Sequence, residues 1–285
     1  MDKAETSLIL PLVLASIPAF LFGLAEDLTK KVGVLIRLGA TFASGILAWL
    51  LSGISLNRLD ILGVDWLLAW PVISVIFTAF AIAGIANAVN IVDGFNGLAS
   101  GLVAMSLVAL GFVAQSVGDF TLMNVCILLF AVVLGFMAMN FPFGKIFMGD
   151  SGAYLIGFCL AWVAILLPIR NPSISPWCSL LACLYPVLEV LFSIARRLAR
   201  NLHPGHPDRL HLHSLVKTRI VRKRLAALPP VLVNSAVSPL IWSLRTIPCI
   251  LAVAFASNLI ALIFGVALCA ICYRLLYLRL TRFAR

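Results

Sequence analysis

Long apolar runs, broken by short polar segments, set the rhythm of this chain. Nine stretches approach the roughly 20 residues that a helix needs to cross a bilayer. They are 8–24, 34–53, 67–86, 98–117, 122–139, 153–169, 176–195, 225–244 and 247–273. The eighth is the most interrupted, by Pro229, Pro230, Asn234 and Pro239. The pattern predicts an all-α fold, a polytopic transmembrane helical bundle of about nine spans. No repeat, linker or low-complexity segment divides it, so residues 1–285 read as a single integral-membrane domain.

Composition excludes a water-soluble fold. Of the residues, 62% are hydrophobic and only 11% charged, against about 25% charged in soluble domains; mean hydropathy is +1.11. The net charge of +10 raises the question of a nucleic-acid partner. Its distribution gives another answer. Alternate loops of a nine-span chain hold 17 of the 21 Lys and Arg, including Lys30, Lys31, Arg37, Lys145, the run from Arg196 to Arg224 and the C-terminal tail. The opposite side keeps Lys3, Arg58, Arg170 and Arg245. This is the positive-inside asymmetry, with the N-terminus outside and the C-terminus in the cytosol; no charge signal is left for nucleic acid. The first apolar run follows Asp2, Lys3 and Glu5 and contains Pro11 and Pro18, which reads as a retained span rather than a cleaved signal. The seven cysteines lie mostly inside apolar runs and read as small apolar fillers.

Four polar clusters fall on one side of this topology: 23–31, 87–97, 140–152 and 196–224. An ionised Asp at a helix centre costs roughly 2.5–3.5 kcal/mol on insertion scales, so such residues face the bundle interior or water. Asn87, Asn90 and Asp93 recur every three residues and share about a third of a helix circumference. They predict a polar stripe at the membrane boundary, which Asn96 extends beyond Gly94; an asparagine-mediated helix contact is the competing reading. In "FMGDSG", Asp150 lies between glycines that permit close approach of a ligand, or it caps the next helix. Glu26, Asp27, Asp93 and Asp150 on one face would repel one another without a compensating cation. Oxygen donors with no cysteine nearby suit Mg²⁺, with Mn²⁺ as a substitute, rather than zinc. His203, His206, His211 and His213 precede Lys217, Arg219, Arg222, Lys223 and Arg224. That set matches phosphate oxygens, with Asp208 and Arg209 shaping the pocket; a basic loop on anionic headgroups and a histidine metal site are the alternatives. Together the clusters describe phosphoryl chemistry by positioning and charge neutralisation. No GxxxxGK[ST] loop is present, which disfavours an ATPase.

The segments "AEDLTKK", "NAVNIVDGFNGLASG", "FMGDSG" and "HPDRLHLH" resemble, in that order, those of the polyprenyl-phosphate N-acetylhexosamine-1-phosphate transferases, glycosyltransferase family 4. The resemblance runs from about residue 20 to the end of the chain. It implies Mg²⁺-dependent transfer of a HexNAc-type sugar-1-phosphate from a UDP-sugar to undecaprenyl phosphate, with release of UMP. Such a step initiates lipid-linked cell-surface glycans such as O-antigen or exopolysaccharide. The implied setting is the bacterial inner membrane, with a periplasmic N-terminus and the active site on the cytosolic face. By the same resemblance Glu26, Asp27 and Asp93 are catalytic, and Asp150 and Asp93 hold the metal. Asn87, Asn90, Asn96, Lys30, Lys31, Arg209, His211 and His213 bind substrate. The oligomeric state is left open, a homodimer included.

Three departures from the family stand out. Glu26 replaces the first aspartate of the usual pair, and Asn96 stands where many relatives carry a second aspartate. The two spans and the basic, glycine-rich segment that precede the acidic pair in relatives have no counterpart here. The peptidoglycan phospho-N-acetylmuramoyl-pentapeptide transferase is the nearer alternative, although "HPDRLHLH" differs from its triple-histidine loop. An inactive membrane scaffold and a secondary transporter are the others; a transporter expects its polar residues near the midplane.

Overall fold

The computed structural model describes residues 3–201 and 210–282. Among these the chain is helical with no strand. The helices are α1 (Lys3–Thr29), α2 (Val34–Ser52), α3 (Val64–Leu68), α4 (Pro71–Val92), α5 (Leu98–Ser116), α6 (Phe120–Asn140), α7 (Gly149–Arg170), α8 (Pro176–Ala182) and α9 (Leu184–Leu198). They continue with α10 (Leu212–Val216), a π turn at Lys217–Val221, α11 (Arg222–Arg224), α12 (Pro230–Ser235), α13 (Val237–Ala254) and α14 (Leu259–Arg282). Eight segments are long and apolar enough to cross a membrane, α12 and α13 forming one of them. The bent pair α8–α9 makes a ninth if it is counted as one span.

Local chemistry sets the boundaries. Pro71 starts α4 and Pro176 starts α8, each at a first-turn position where the missing N–H goes unmissed. Asp119 caps α6 by accepting from the Leu122 N–H at 3.1 Å. Pro71 also moves the third span from the expected 67–86 to Pro71–Val92, which places Asn87 and Asn90 inside the helix.

The largest differences from expectation lie in the last third of the chain. The stretches expected at 225–244 and 247–273 are Pro230–Ala254 and Leu259–Arg282. Pro229 and Pro230 begin the helix rather than interrupting it, and the break comes at 255–258, where Asn258 Oδ1 accepts from the Ala261 N–H. Arg245, expected in an outer loop, is therefore in mid-helix and fully buried. The seventh stretch is not a straight span either. It turns by 79° at Cys183, and the carbonyls freed there are taken by Arg245, which donates to Leu181 O at 3.0 Å, to Ala182 O and to Ser106 Oγ at 2.9 Å. A guanidinium suits this place because a helix C-terminus carries unpaired carbonyls and a partial negative charge.

α5 and α7 are buried around most of their surface and form the centre, while α6 and α14 turn most of theirs outward. Loops alternate between two ends. One end gathers Arg58, which donates to Pro172 O and Ile174 O, and Asp119, which pairs with Arg170 at 2.7 Å. The other end gathers the polar segments.

Candidate active site at one end of the bundle

The helix ends bring Asp27, Asn90 and Asp150 together from α1, α4 and α7. Asp27 caps a helix that is not its own. Its carboxylate accepts from the Asp150 N–H and the Ser151 N–H, both at 2.9 Å, and from Ser151 Oγ at 2.7 Å. An acceptor there answers the unpaired N–H groups and the positive dipole end of α7. Two glycines make the approach possible. A Cβ on Gly149, whose φ is +66°, would lie 2.6 Å from Asp27 Oδ2, and one on Gly23 would lie 2.7 Å from the Ser151 backbone.

With its N–H capped from α1, Asp150 turns its side chain into the bundle. Asn90 donates to Asp150 Oδ1 at 3.0 Å, and Arg37 of α2 pairs with Oδ2. Asn87, one turn earlier on α4, donates to Thr41 Oγ1 at 3.0 Å. The expected stripe is thus present for Asn87 and Asn90, each facing a neighbouring helix. Asp93 leaves it: its backbone (φ −76°, ψ 59°) ends the helix and turns into the 93–97 loop. Burial pushes the Asp93 carboxyl up to about 6.

The remaining expected residues have varied surroundings. Glu26 Oε2 accepts from the Val32 N–H at 2.8 Å and so closes the α1–α2 turn. Lys30 and Lys31 are exposed, the Lys30 ammonium lying 3.8 Å from Asp27 Oδ1. Asn96 is spent internally: its amide donates to Pro142 O and Ser235 Oγ, and its N–H donates to Asn234 Oδ1. This side chain ties the 93–97 loop to α12. His211 and His213 are buried with rings stacked 5.2 Å apart, and the His213 ring meets Phe95 edge-on. The histidine segment therefore reaches the loop that begins at Asp93. Arg209, Asp208, His203 and His206 lie outside the described residues.

Sequence reasoning missed three residues here. Arg37 is the only charge in α2, and it was counted toward topology alone. Glu189, the only acidic residue in the bent pair, sits between the two histidines and Tyr185. Asn140 accepts from the Gly97 N–H and donates to Ile146 O, joining two loops. A lone charged residue inside an apolar run was the available signal for the first two.

Among the described residues no three His, Cys, Asp or Glu side chains are gathered as a metal cage. Mg²⁺ does not require one, since it binds through one or two carboxylates and completes its shell with water and phosphate. The Asp150 and Asp93 side chains offer carboxylate oxygens, and in this structure the counter-charge at Asp150 is Arg37. The Arg37 Nε is buried without a partner. The Asp150 and Asp93 carboxylates are donors of the kind this ion takes.

A bundle of membrane-spanning helices with a carboxylate-, amide- and histidine-lined end is the class that fold and site define. Residues 9–168 match the family described as "Glycosyl transferase family 4", and the chain belongs to that family. It is 30% identical over 210 residues to the "Undecaprenyl-phosphate alpha-N-acetylglucosaminyl 1-phosphate transferase" of Escherichia coli (strain K12), covering 72% of this chain and 57% of that protein. The protein of the same name from Yersinia pestis is 30% identical, with 72% and 58% covered. The "Probable undecaprenyl-phosphate N-acetylglucosaminyl 1-phosphate transferase" of Bacillus subtilis (strain 168) is 29% identical over 203 residues, with 67% and 53% covered. The chain thus spans little more than half the length of these relatives. It is a multi-pass membrane protein of a transferase family.

Proposed function

We propose that this protein transfers a HexNAc-type sugar-1-phosphate from a UDP-sugar to undecaprenyl phosphate, releasing UMP. The observation that carries this reading is the convergence of Asp27, Asn90, Arg37 and Asp150 from four helices at one end of the bundle. The relatives' names make N-acetylglucosamine the first sugar to try.

In this reading an oxygen of the lipid phosphate attacks the sugar-bound phosphorus of the UDP-sugar. The bond from that phosphorus to the bridging oxygen breaks, and the electron pair leaves with UMP. Asp150 and Asp93 would hold Mg²⁺, which supplies charge neutralisation to the diphosphate when bound. Asp27 fixes the start of α7 and hence where Asp150 points. Asn90 orients the Asp150 carboxylate, and the Arg37 guanidinium beside it is of the kind that bonds a phosphate oxygen. Asp93, on the loop side, positions the lipid phosphate and takes its proton. His211 and His213 face the departing nucleotide. The site lies on the cytosolic face of a bacterial inner membrane, where UDP-sugars are found, and the product starts a lipid-linked surface glycan.

The test uses the purified protein with undecaprenyl phosphate, Mg²⁺ and a panel of UDP-sugars, read by UMP release. Turnover with at least one sugar is expected. Asp150→Asn should reduce it by about 10²–10⁴-fold, the range for loss of a positioned proton-transfer or electrostatic group. Near-normal turnover in that variant sinks the assigned role, and no UMP from any sugar sinks the function.

A further inference from the structure

Glu189 is a buried carboxylate with a purpose that the transfer scheme above leaves unassigned. It is 1% exposed, on the arm of the bent helix pair that follows the 79° turn. Its oxygens receive the His211 Nδ1 at 3.1 Å, the Tyr185 hydroxyl at 2.7 Å and the Leu212 N–H at 3.1 and 3.3 Å. His213 Nδ1 stands 3.5 Å from Oε1, a contact longer than its other bonds. On the far side of that ring, Nε2 lies 3.9 Å from where a Cβ on Gly94 would be, next to Asp93. The carboxylate therefore sits behind two stacked histidines, of which His213 turns its other edge toward the Asp93–Gly94 turn.

We infer that Glu189 is a positioning residue that sets the tautomer of His211 and the orientation of both site histidines, leaving His211 Nε2 free to accept and His213 Nε2 against the Asp93–Gly94 turn. The argument is one of donor count. An ionised carboxylate only accepts, so every group aimed at it must donate. His211 must carry a proton on Nδ1, which in the neutral ring leaves Nε2 as the bare nitrogen. The Leu212 N–H fixes the peptide between the two histidines on the same oxygens, so neither ring can swing away without breaking it. A neutral amide in place of Glu189 cannot do this. Its NH₂ would face one of three donors whichever way it turned. Partners standing behind a metal-ligating histidine typically contribute about 10–100-fold when removed, and an effect of that order is expected here.

This inference rests on the proposed transfer, and its test separates the two. Solid-state NMR of ¹⁵N-histidine-labelled protein in nanodiscs, with His211→Gln used for assignment, should show His211 protonated on Nδ1 and bare on Nε2. A wild-type His211 with its proton on Nε2 overturns the inference, whatever the activity. In Glu189→Gln, kcat for UMP release should fall by about 10–100-fold, with the donor KM little changed and the His211 pattern altered. Glu189→Asp keeps an acceptor-only group and should retain the wild-type tautomer, which covers the case where the amide variant does not fold. Wild-type kcat in Glu189→Gln, or a loss matched by an equal loss of folded protein, rejects the positioning role. A wild type that releases no UMP while showing the expected ¹⁵N pattern rejects the transfer reading alone.

Discussion

Asp27 and Asp150 look alike in the sequence and are used differently. Both oxygens of Asp27 receive N–H and O–H groups at the start of α7, whereas Asp150 offers its oxygens to Asn90 and Arg37. The first is an anchor, and the second is the group left facing the site. Asp27→Ala should lower stability by about 0.5–2 kcal/mol, the usual loss for an N-cap, seen as a lower thermal midpoint in detergent. Turnover should fall as well, at temperatures where the variant remains folded, because Asp150 loses its fixed starting point. An unchanged midpoint would show that the cap carries no weight. Asn87, Asn90 and Asp93 were legible as a polar set from their spacing, and Asp150 from its glycine-flanked segment at the same end. That Asn96 and Glu26 are consumed in loop closure was not, because their partners Ser235, Pro142 and Val32 are set by how the loops meet.

At the scale of elements, the broken pair α8–α9 departs most from an ordinary span. A hydrophobic run of the right length predicts a straight helix, and nothing local in "LLACLYPV" specifies a 79° turn. The turn is held from α13, where Arg245 collects the loose carbonyls of α8. Arg245→Met leaves those carbonyls unpaired in a dry interior and should cost about 1–3 kcal/mol. The thermal midpoint should drop, and activity should fall with it, because α9 carries Glu189 toward the histidines. A variant as stable and as active as wild type would remove Arg245 from this role. Helix count and approximate placement followed from hydropathy through the first six spans. They slipped after residue 225, where prolines that read as interruptions turned out to start a helix or to sit within one.

The whole molecule has two unlike ends. One is tied by Arg58, Asp119 and Arg170 among loops, and the other carries the site. The asymmetry of the loop charges is the basis for the proposed cytosolic position of the site end. A fluorescent protein fused after Arg285 should therefore fluoresce, and alkaline phosphatase fused after Asn171 should be active; the reverse pattern would invert the proposed orientation.

Periodicity, charge asymmetry and four motifs were enough to specify a membrane bundle and to put carboxylates, amides and histidines at one end of it. Those properties are local or additive along the chain, so the sequence carries them directly. Which carboxylate anchors and which remains available, where Arg37 and Arg245 find their partners, and why Glu189 is buried behind His211 and His213 depend on helices more than a hundred residues apart in several cases. In a low-dielectric interior an unpaired polar group is costly, and which partner each one finds is decided only when the helices pack.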